Sequence, residues 1–325
     1  MFSSSLYQQP IVVIGAGSIG ERHIRNLWQQ GFKNIIVFRQ RNLPFRDIAD
    51  AQVKVVLHWQ QVLQHNPFAA IVCTPTVQHL RQVISCLEAG IHVLAEKPLA
   101  HEPFDVKALL KICQEHKVLL QVGYMMHYHP FLARVQSFLK GKKYGKLINM
   151  QTYWGEYLPD WHPWEDYRTS YAAQREQGGG VALTLSHDID VALWMANAAL
   201  KHYQSTFNYA SRLKVNTESL FDVNLSFENK VTAHVHVNFC QKVPQRWYKF
   251  IFDNAVIDID YFINEMKVQT AETSIVEKLE QFDRNLLFIT QQNDFFRRIE
   301  EGNYQAFVEQ QVEQSYNIIK ICTHE

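Results

Sequence analysis

A chain of 325 residues, 47% of them hydrophobic, is long enough to bury a large core and to divide it between two domains. Its 32 Lys and Arg balance 32 Asp and Glu, so there is no field to gather nucleic acid or an anionic membrane, and the expected partner is a small molecule. The five cysteines, Cys73, Cys86, Cys113, Cys240 and Cys322, form no CxxC pair and leave one over, which argues against a disulfide framework and a cysteine zinc site.

The opening "MFSSSLYQQP" has neither a basic region nor an apolar core, and no later apolar run approaches bilayer length; a cytoplasmic protein is expected. From Ile11 to Gly123, short β-branched runs alternate with helical stretches. "IVVIG" is followed by a helix from about Ser18, then by "NIIVF" and "AAIVCTP". A helix from about Val77 to Ala89, "IHVLAE", a helix from about Phe104 to His116 and "VLLQVG" complete the series. This spacing predicts an α/β domain with a parallel, doubly wound sheet over residues 1–123. After Gly123 the runs "KLINMQTYW", "SLFDVNLSF", "KVTAHVHVNF", "WYKFIF" and "AVIDID" alternate or cluster like antiparallel strands. One long helical pattern, about Val181 to Ala196, precedes most of them, and others follow from about Arg284. Residues 124–325 are therefore expected to form an α+β domain on a largely antiparallel open sheet, serving substrate binding and oligomerisation.

The first chemical motif is "GAGSIG", Gly15 to Gly20, between the first strand and its helix. Gly15 permits a tight turn, Gly17 lets the backbone approach a pyrophosphate, and Gly20 allows helix and strand to pack closely. The N–H groups of Ala16, Ser18 and Ile19 complete a phosphate cradle at the helix start. The context predicts a Rossmann dinucleotide site rather than merely a tight turn. About twenty residues on, where an NAD site places an acid, stands Arg39 in "VFRQRN". An arginine suits the 2′-phosphate of NADP, which is preferred here. If Arg39 and Arg41 are only solvated loop charges, NAD is equally acceptable. In "HVLAEKPLA" a buried strand ends in Glu96 and Lys97 and is stopped by Pro98, which sets the angle of the lysine, as a cis bond would. Charges there lie at the strand ends where α/β folds bind ligands.

GAGSIG, "CTPTVQH" and "AGIHVLAEKPLA", in that order, resemble the glucose-fructose oxidoreductase, inositol dehydrogenase and MocA family of NAD(P)-dependent oxidoreductases. "VGYMMHYHP" resembles that family's crossover into its second domain, and "GGGVALTLSHDIDVALW" its catalytic helix. "YLPDWHPWEDYRTSYAAQREQGGG" and "KVPQRWYKF" are most similar to members from surface-polysaccharide gene clusters. The resemblance implies that Lys97 lies beside the nicotinamide and the reacting hydroxyl, with Glu96 near the nicotinamide ribose. It also brings Thr74, Pro75 and His79 into the cofactor site, and it makes His187 the catalytic histidine. Two departures stand out. Thr184 occupies the place one turn before the histidine where many relatives carry aspartate, and His127 stands where relatives commonly show arginine.

The chemistry asks for such groups. Hydride transfer from a secondary alcohol leaves charge developing on oxygen, which needs a proton acceptor and a cation beside it. Lys97 suits the second role, and His187 the first. On one helix from Val181, the residues Thr184, His187, Asp188 and Val191 would share a face, and the preceding triple glycine would let the chain approach a ligand. The alternative for His187 is a satisfied core histidine; that for Lys97 is a turn charge paired to Glu96.

The loop "YLPDWHPWEDYRTSYAAQ" suits sugar recognition, rings stacking on C–H faces and polar tips taking hydroxyls, and Tyr167, Arg168 and Tyr171 are the preferred contacts. A hydrophobic staple is the alternative. The expected substrate set is Lys97, His127, Tyr167, Arg168, Tyr171, Thr184 and His187. His234 and His236 share a strand face but have no evident third ligand nearby, so no metal is expected. The reading that results is an NAD(P)-dependent oxidoreductase acting on a hydroxyl or keto carbon of a sugar or nucleotide sugar, as a homo-oligomer, dimer or tetramer. A non-catalytic, cofactor- and sugar-binding regulator of the same fold is the alternative.

Overall fold

A computed structural model describes residues 2–40, 44–49 and 52–323, and these form two compact units. The first contains Met1–Tyr124 and Asn285–Tyr316, the second Met125–Arg284 and Asn317–Glu325.

In the first unit, strands β1 (Ile11–Ile14), β2 (Ile35–Phe38), β3 (Lys54–Val56), β4 (Ala69–Val72), β5 (His92–Ala95) and β6 (Leu120–Val122) form one parallel sheet in the order β3-β2-β1-β4-β5-β6. All four residues of β1 and of β4 are buried, as strands covered on both faces require, and this is why they read as unbroken apolar runs. The strand order reverses between β1 and β4, so the carboxyl ends of these strands flank the crevice where open α/β sheets take ligands. Helices α1 (Ser18–Gln29), α3 (Thr76–Glu88) and α4 (Val106–His116) lie where the sequence pattern places them. β3 and α2 (Trp59–Gln64) were not expected: the strand is three residues long with one buried, and the helix buries only Val62, too little for a period to register. Helix α8 (Asn285–Glu301) belongs to this unit, Asn285 exchanging amide bonds of 2.9 and 3.2 Å with Asn26 of α1. A single division of the chain at 123/124 therefore does not describe it.

The second unit is built on eight strands: β7 (Leu147–Tyr157), β8 (Leu200–Asn208), β9 (Leu220–Phe227), β10 (Thr232–Asn238), β11 (Cys240–Phe252), β12 (Val256–Asp260), β13 (Glu265–Gln269) and β14 (Ser274–Lys278). Their order is β14-β13-β12-β11-β7-β10-β9-β8, and only β7 and β10 pair in parallel. Burial alternates along β9 to β13, one face turned inward, which is the pattern of an open antiparallel sheet. The sheet meets the helix His187–Ala196, and α5 (Pro130–Lys140) is joined to that helix, its Gln136 donating to the Trp194 carbonyl at 3.2 Å.

The pattern read as one helix from Val181 to Ala196 is two: α6 (Val181–Thr184) and α7 (His187–Ala196). Leu185, at φ −100° and ψ 23°, leaves the helical conformation, while the buried apolar positions run on across the break and hide it from periodicity. His187 consequently opens α7, which packs on β7 and β10.

Candidate active site

The loop after β1 is shaped by glycine for two different reasons. Gly15, at φ +91°, has no room for a side chain: a Cβ would lie 2.9 Å from both the Cys73 carbonyl oxygen and Thr74 Cγ2. A Cβ on Gly20 would fall 2.0 Å from the Gly15 oxygen, so strand and helix touch there. Gly17 is the contrast, since a Cβ on it would meet nothing within 4 Å. Among the described residues no neighbour demands a glycine at 17; the open approach beside the N-terminus of α1 fits a pyrophosphate, with Ala16, Ser18 and Ile19 completing the turn. Arg39 follows β2 directly, half-buried, its guanidinium stacked 4.3 Å from the Phe45 ring centroid. Arg41 lies outside the described residues.

At the end of β5 the chain is held on both sides, Glu96 N–H donating to Val72 O at 2.8 Å and Gly123 N–H to Ala95 O at 2.7 Å. The Lys97–Pro98 bond is cis. Glu96 Oε1 lies 2.9 Å from His23 Nε2, and Oε2 accepts from Lys97 N–H at 3.3 Å. Burial pushes this carboxyl up, but the hydrogen bond from His23, with the charge of Lys97, holds it below its ordinary value. His79 is turned into the protein: Nδ1 lies 2.7 Å from Pro98 O and Nε2 2.5 Å from Thr74 O. Burial lowers its pKa. Both ring nitrogens thus face backbone carbonyls, to one of which the neutral ring donates its single N–H, and His79 lies between the end of β4 and the Lys97 turn. Thr74 Oγ1 likewise donates to Gln82 of α3, while Pro75 is exposed at the start of that helix.

In the second unit His187 is buried at the start of α7, its ring 6.4 Å from that of Trp154 on β7. Thr184 is buried at the end of α6, on the far side of the helix break. Asp188 pairs with Arg246 of β11, Oδ2 to Nη2 2.7 Å, and the guanidinium lies 3.8 Å over Trp154. Asp190 pairs with His127, whose Nε2 is 2.8 Å away and whose ring stacks on Trp194 at 4.2 Å. His127 therefore supports α7 through these two contacts. Trp154, Asp190 and Arg246, which surround this helix start, were not singled out in the sequence, where only Asp188 was placed on the face of His187. The signal for Arg246 was its place on the inward face of β11 with Tyr248, Phe250 and Phe252, where a charge must be paired.

The triple glycine packs against the protein itself. A Cβ on Gly179 would lie 2.1 Å from Tyr171 O, and one on Gly180, at φ +110°, 2.4 Å from Glu218 Oε1. That carboxylate also accepts the Ala182 N–H at 3.0 Å, capping α6, and burial raises its pKa. Of the loop residues, Tyr171 is exposed, Tyr167 OH accepts from Lys214 N–H at 3.2 Å, and Arg168 is exposed and grips Asp166 with Nε and Nη2. His234 and His236 do have an acidic neighbour, Asp222 of β9, at 3.5 and 2.8 Å. Among the described residues no group of three His, Cys, Asp or Glu could hold a metal.

Residues 10–124 match the model of an oxidoreductase family with an NAD-binding Rossmann fold, and residues 132–258 match the Gfo/Idh/MocA C-terminal domain. The chain belongs to the Gfo/Idh/MocA family. An inositol 2-dehydrogenase/D-chiro-inositol 3-dehydrogenase of Lactiplantibacillus plantarum is 30% identical to this family member over 202 residues, 57% of this chain and 51% of that one. A 4-carboxy-2-hydroxymuconate-6-semialdehyde dehydrogenase of a Sphingobium species is 29% identical over 154 residues, 44% and 47% of the two chains. The chain spans about half the length, or less, of the curated relatives it matches first. The fold match is complete: a levoglucosan dehydrogenase in complex with NADH superposes with a TM-score of 0.81 at 15% identity, covering 98% of this family member and 97% of that chain. A UDP-N-acetylglucosamine 3-dehydrogenase of Acidithiobacillus ferrooxidans gives 0.75 at 15% identity, covering 98% and 96%.

Proposed function

We propose that the protein is an NAD(P)-dependent dehydrogenase or reductase acting on a hydroxyl or keto carbon of a sugar or nucleotide sugar. The observation that carries this reading is Gly17, the one glycine of the loop whose missing side chain no atom of the described residues requires. The nicotinamide supplies the hydride acceptor or donor when bound. The turn from Gly15 to Gly20 and the start of α1 hold the pyrophosphate. Arg39 takes the 2′-phosphate, which makes NADP the preferred form, and Glu96 takes the ribose hydroxyls. Lys97 stabilises charge on the substrate oxygen, and His187 takes up or gives back its proton. Tyr167, Tyr171 and Arg168, with Thr184 and His127, contribute to substrate recognition. Because Arg168 already grips Asp166, the loop favours hydroxyl groups over an anion.

The reading carries with it a cytoplasmic homo-oligomer, dimer or tetramer, with a small-molecule partner. No helix among the described residues is long and apolar enough to cross a membrane. A regulator that binds cofactor and sugar without turnover is the second reading, favoured by threonine at 184 where relatives carry aspartate. Mass spectrometry of the small molecules that copurify, followed by titration of the stripped protein with NADPH and NADH, tests both. The proposal expects a nicotinamide dinucleotide, tighter binding of NADPH, and oxidation or reduction of the copurified sugar; binding without turnover selects the regulator.

A further inference from the structure

Side chains from separate elements converge on the carboxylate that follows β5. His23 Nε2 of α1 lies 2.9 Å from Glu96 Oε1, and Gln292 Nε2 of α8 lies 2.8 Å from His23 Nδ1 and 3.3 Å from the His23 carbonyl oxygen. Gln30 Nε2 lies 2.6 Å from Gln292 Oε1 and 3.1 Å from the Asn26 carbonyl. The directions of these bonds follow without any hydrogen being seen. Backbone carbonyls only accept, so the Gln30 atom beside Asn26 O and the Gln292 atom beside His23 O are amide nitrogens. Turning the Gln292 amide over would set its oxygen against the His23 carbonyl and its nitrogen against that of Gln30. Gln292 therefore donates to Nδ1. With Nδ1 an acceptor, the ring proton sits on Nε2 and is donated to Glu96. The chain of donors runs one way, from Gln30 through Gln292 and His23 to Glu96.

His23 and Gln292 are both completely buried, and the His23 ring stands edge-on to Phe288 of α8 at 5.7 Å. Glu96 is fixed at its other oxygen by the Lys97 N–H, so the carboxylate cannot rotate, yet each oxygen keeps lone-pair capacity. We infer that His23 is a positioning residue, held by Gln292 in the form that carries its proton on Nε2. In that form it presents Glu96 as an oriented acceptor to the hydroxyls of the nicotinamide ribose. The role given to Glu96 rests on the dinucleotide reading above; the direction of the chain does not. It assigns a purpose to the return of α8 to the first unit, which is to set the affinity for the nicotinamide half of the cofactor.

The test has two parts. Nitrogen NMR of protein labelled in histidine, with His23 assigned by its loss in His23→Gln, is expected to show a protonated Nε2 and a bare Nδ1. In Gln292→Glu the new carboxylate accepts, and the ring proton is expected to move from Nε2 to Nδ1, which ends the donation to Glu96. Calorimetric titration of wild type and Gln292→Glu with NADPH, NADH and ADP forms the second part. The dinucleotides are expected to weaken about tenfold or more, as loss of a charge-assisted hydrogen bond implies, while ADP, which lacks the nicotinamide half, binds as before. Where Gln292→Glu does not fold, Gln292→Met removes the donor without adding charge and is expected to show the same selective loss at smaller size. A proton on Nδ1 in wild type overturns the inference, as does equal weakening of ADP and dinucleotide, or no weakening of either. If wild type binds neither dinucleotide, the dinucleotide reading and the role of Glu96 fail together, while the NMR result judges the bond directions by itself.

Discussion

Asp188 Oδ2 lies 2.7 Å from Arg246 Nη2, and both side chains are sealed from solvent. The guanidinium is further packed over Trp154 at 3.8 Å and toward Tyr261 at 4.9 Å, so the pair fixes the first turn of α7 against β11 and β7. Burial pushes the Asp188 carboxyl up to about 6 against the pull of Arg246. Removing one partner strands the other charge in the core. Arg246→Met is therefore expected to cost about 3 to 5 kcal/mol, and Asp188→Leu with Arg246→Met together much less than the sum of the single losses. Urea unfolding at pH 7.5 checks this; strictly additive losses would show that the two charges do not depend on each other.

His129 gives the fold a pH dependence. The ring is buried against Phe131, Tyr261 and Phe282, and burial, with the charge of Arg246, lowers its pKa to about 4. Unfolded, a histidine titrates near 6.5, so between these values the unfolded chain binds the extra proton. Stability is complete above about 6.5 and is lost as pH falls toward 4, by up to about 3 kcal/mol from this residue. His129→Phe is expected to flatten that part of the dependence. The urea midpoint of both proteins at pH 7.5 and 4.5 measures it, and an equal decline in the two would assign the effect to other groups.

Lys97 and His187 are expected to act on the transition state rather than on cofactor affinity. Lys97→Ala and His187→Ala should each lower kcat about a hundredfold or more while the cofactor Kd stays within a few-fold. The assay is single-turnover reduction or oxidation with cofactor saturating. Near wild-type turnover in either variant removes that residue from the chemistry.

The sheet of the first unit was legible because β1, β4 and β5 are buried runs punctuated after their carboxyl ends by Gly15, by Pro75 and by Glu96 and Lys97. β3 and α2 were not, since each buries a single residue and leaves no period to count. The break at Leu185 was hidden for the opposite reason: burial continues through it. Candidate site residues in local motifs, Gly15, Gly17, Gly20, Glu96 and Lys97, stood out. The partners that hold such residues did not, because His23 and Gln292 are 269 residues apart and Asp188 and Arg246 are 58 apart. Long-range pairing leaves no spacing in one sequence, only an oddity such as an arginine on the inward face of a strand.

Gly17 and Gly20 should respond to the same substitution in opposite ways. In Gly20→Ala the added methyl would sit 2.0 Å from the Gly15 carbonyl oxygen, a contact between backbone and rigid Cβ that only separation of α1 from β1 can relieve. Loss of stability is expected without any ligand, of about 1 to 3 kcal/mol or more, as for overpacking elsewhere in cores. In Gly17→Ala the methyl meets no atom of the described residues, and the backbone, at φ −76° and ψ −170°, is open to any residue. Stability without ligand should change by no more than about 1 kcal/mol, the cost of alanine at a helix N-cap. The methyl instead occupies the space through which a pyrophosphate reaches the N–H groups of α1, so dinucleotide affinity should fall about tenfold or more. Thermal unfolding of the two variants without ligand, and calorimetric titration of Gly17→Ala with NADPH and NADH, measure both effects. A Gly17→Ala protein that is stable and binds dinucleotide as tightly as wild type would mean that the open side of residue 17 is not where the cofactor phosphates lie.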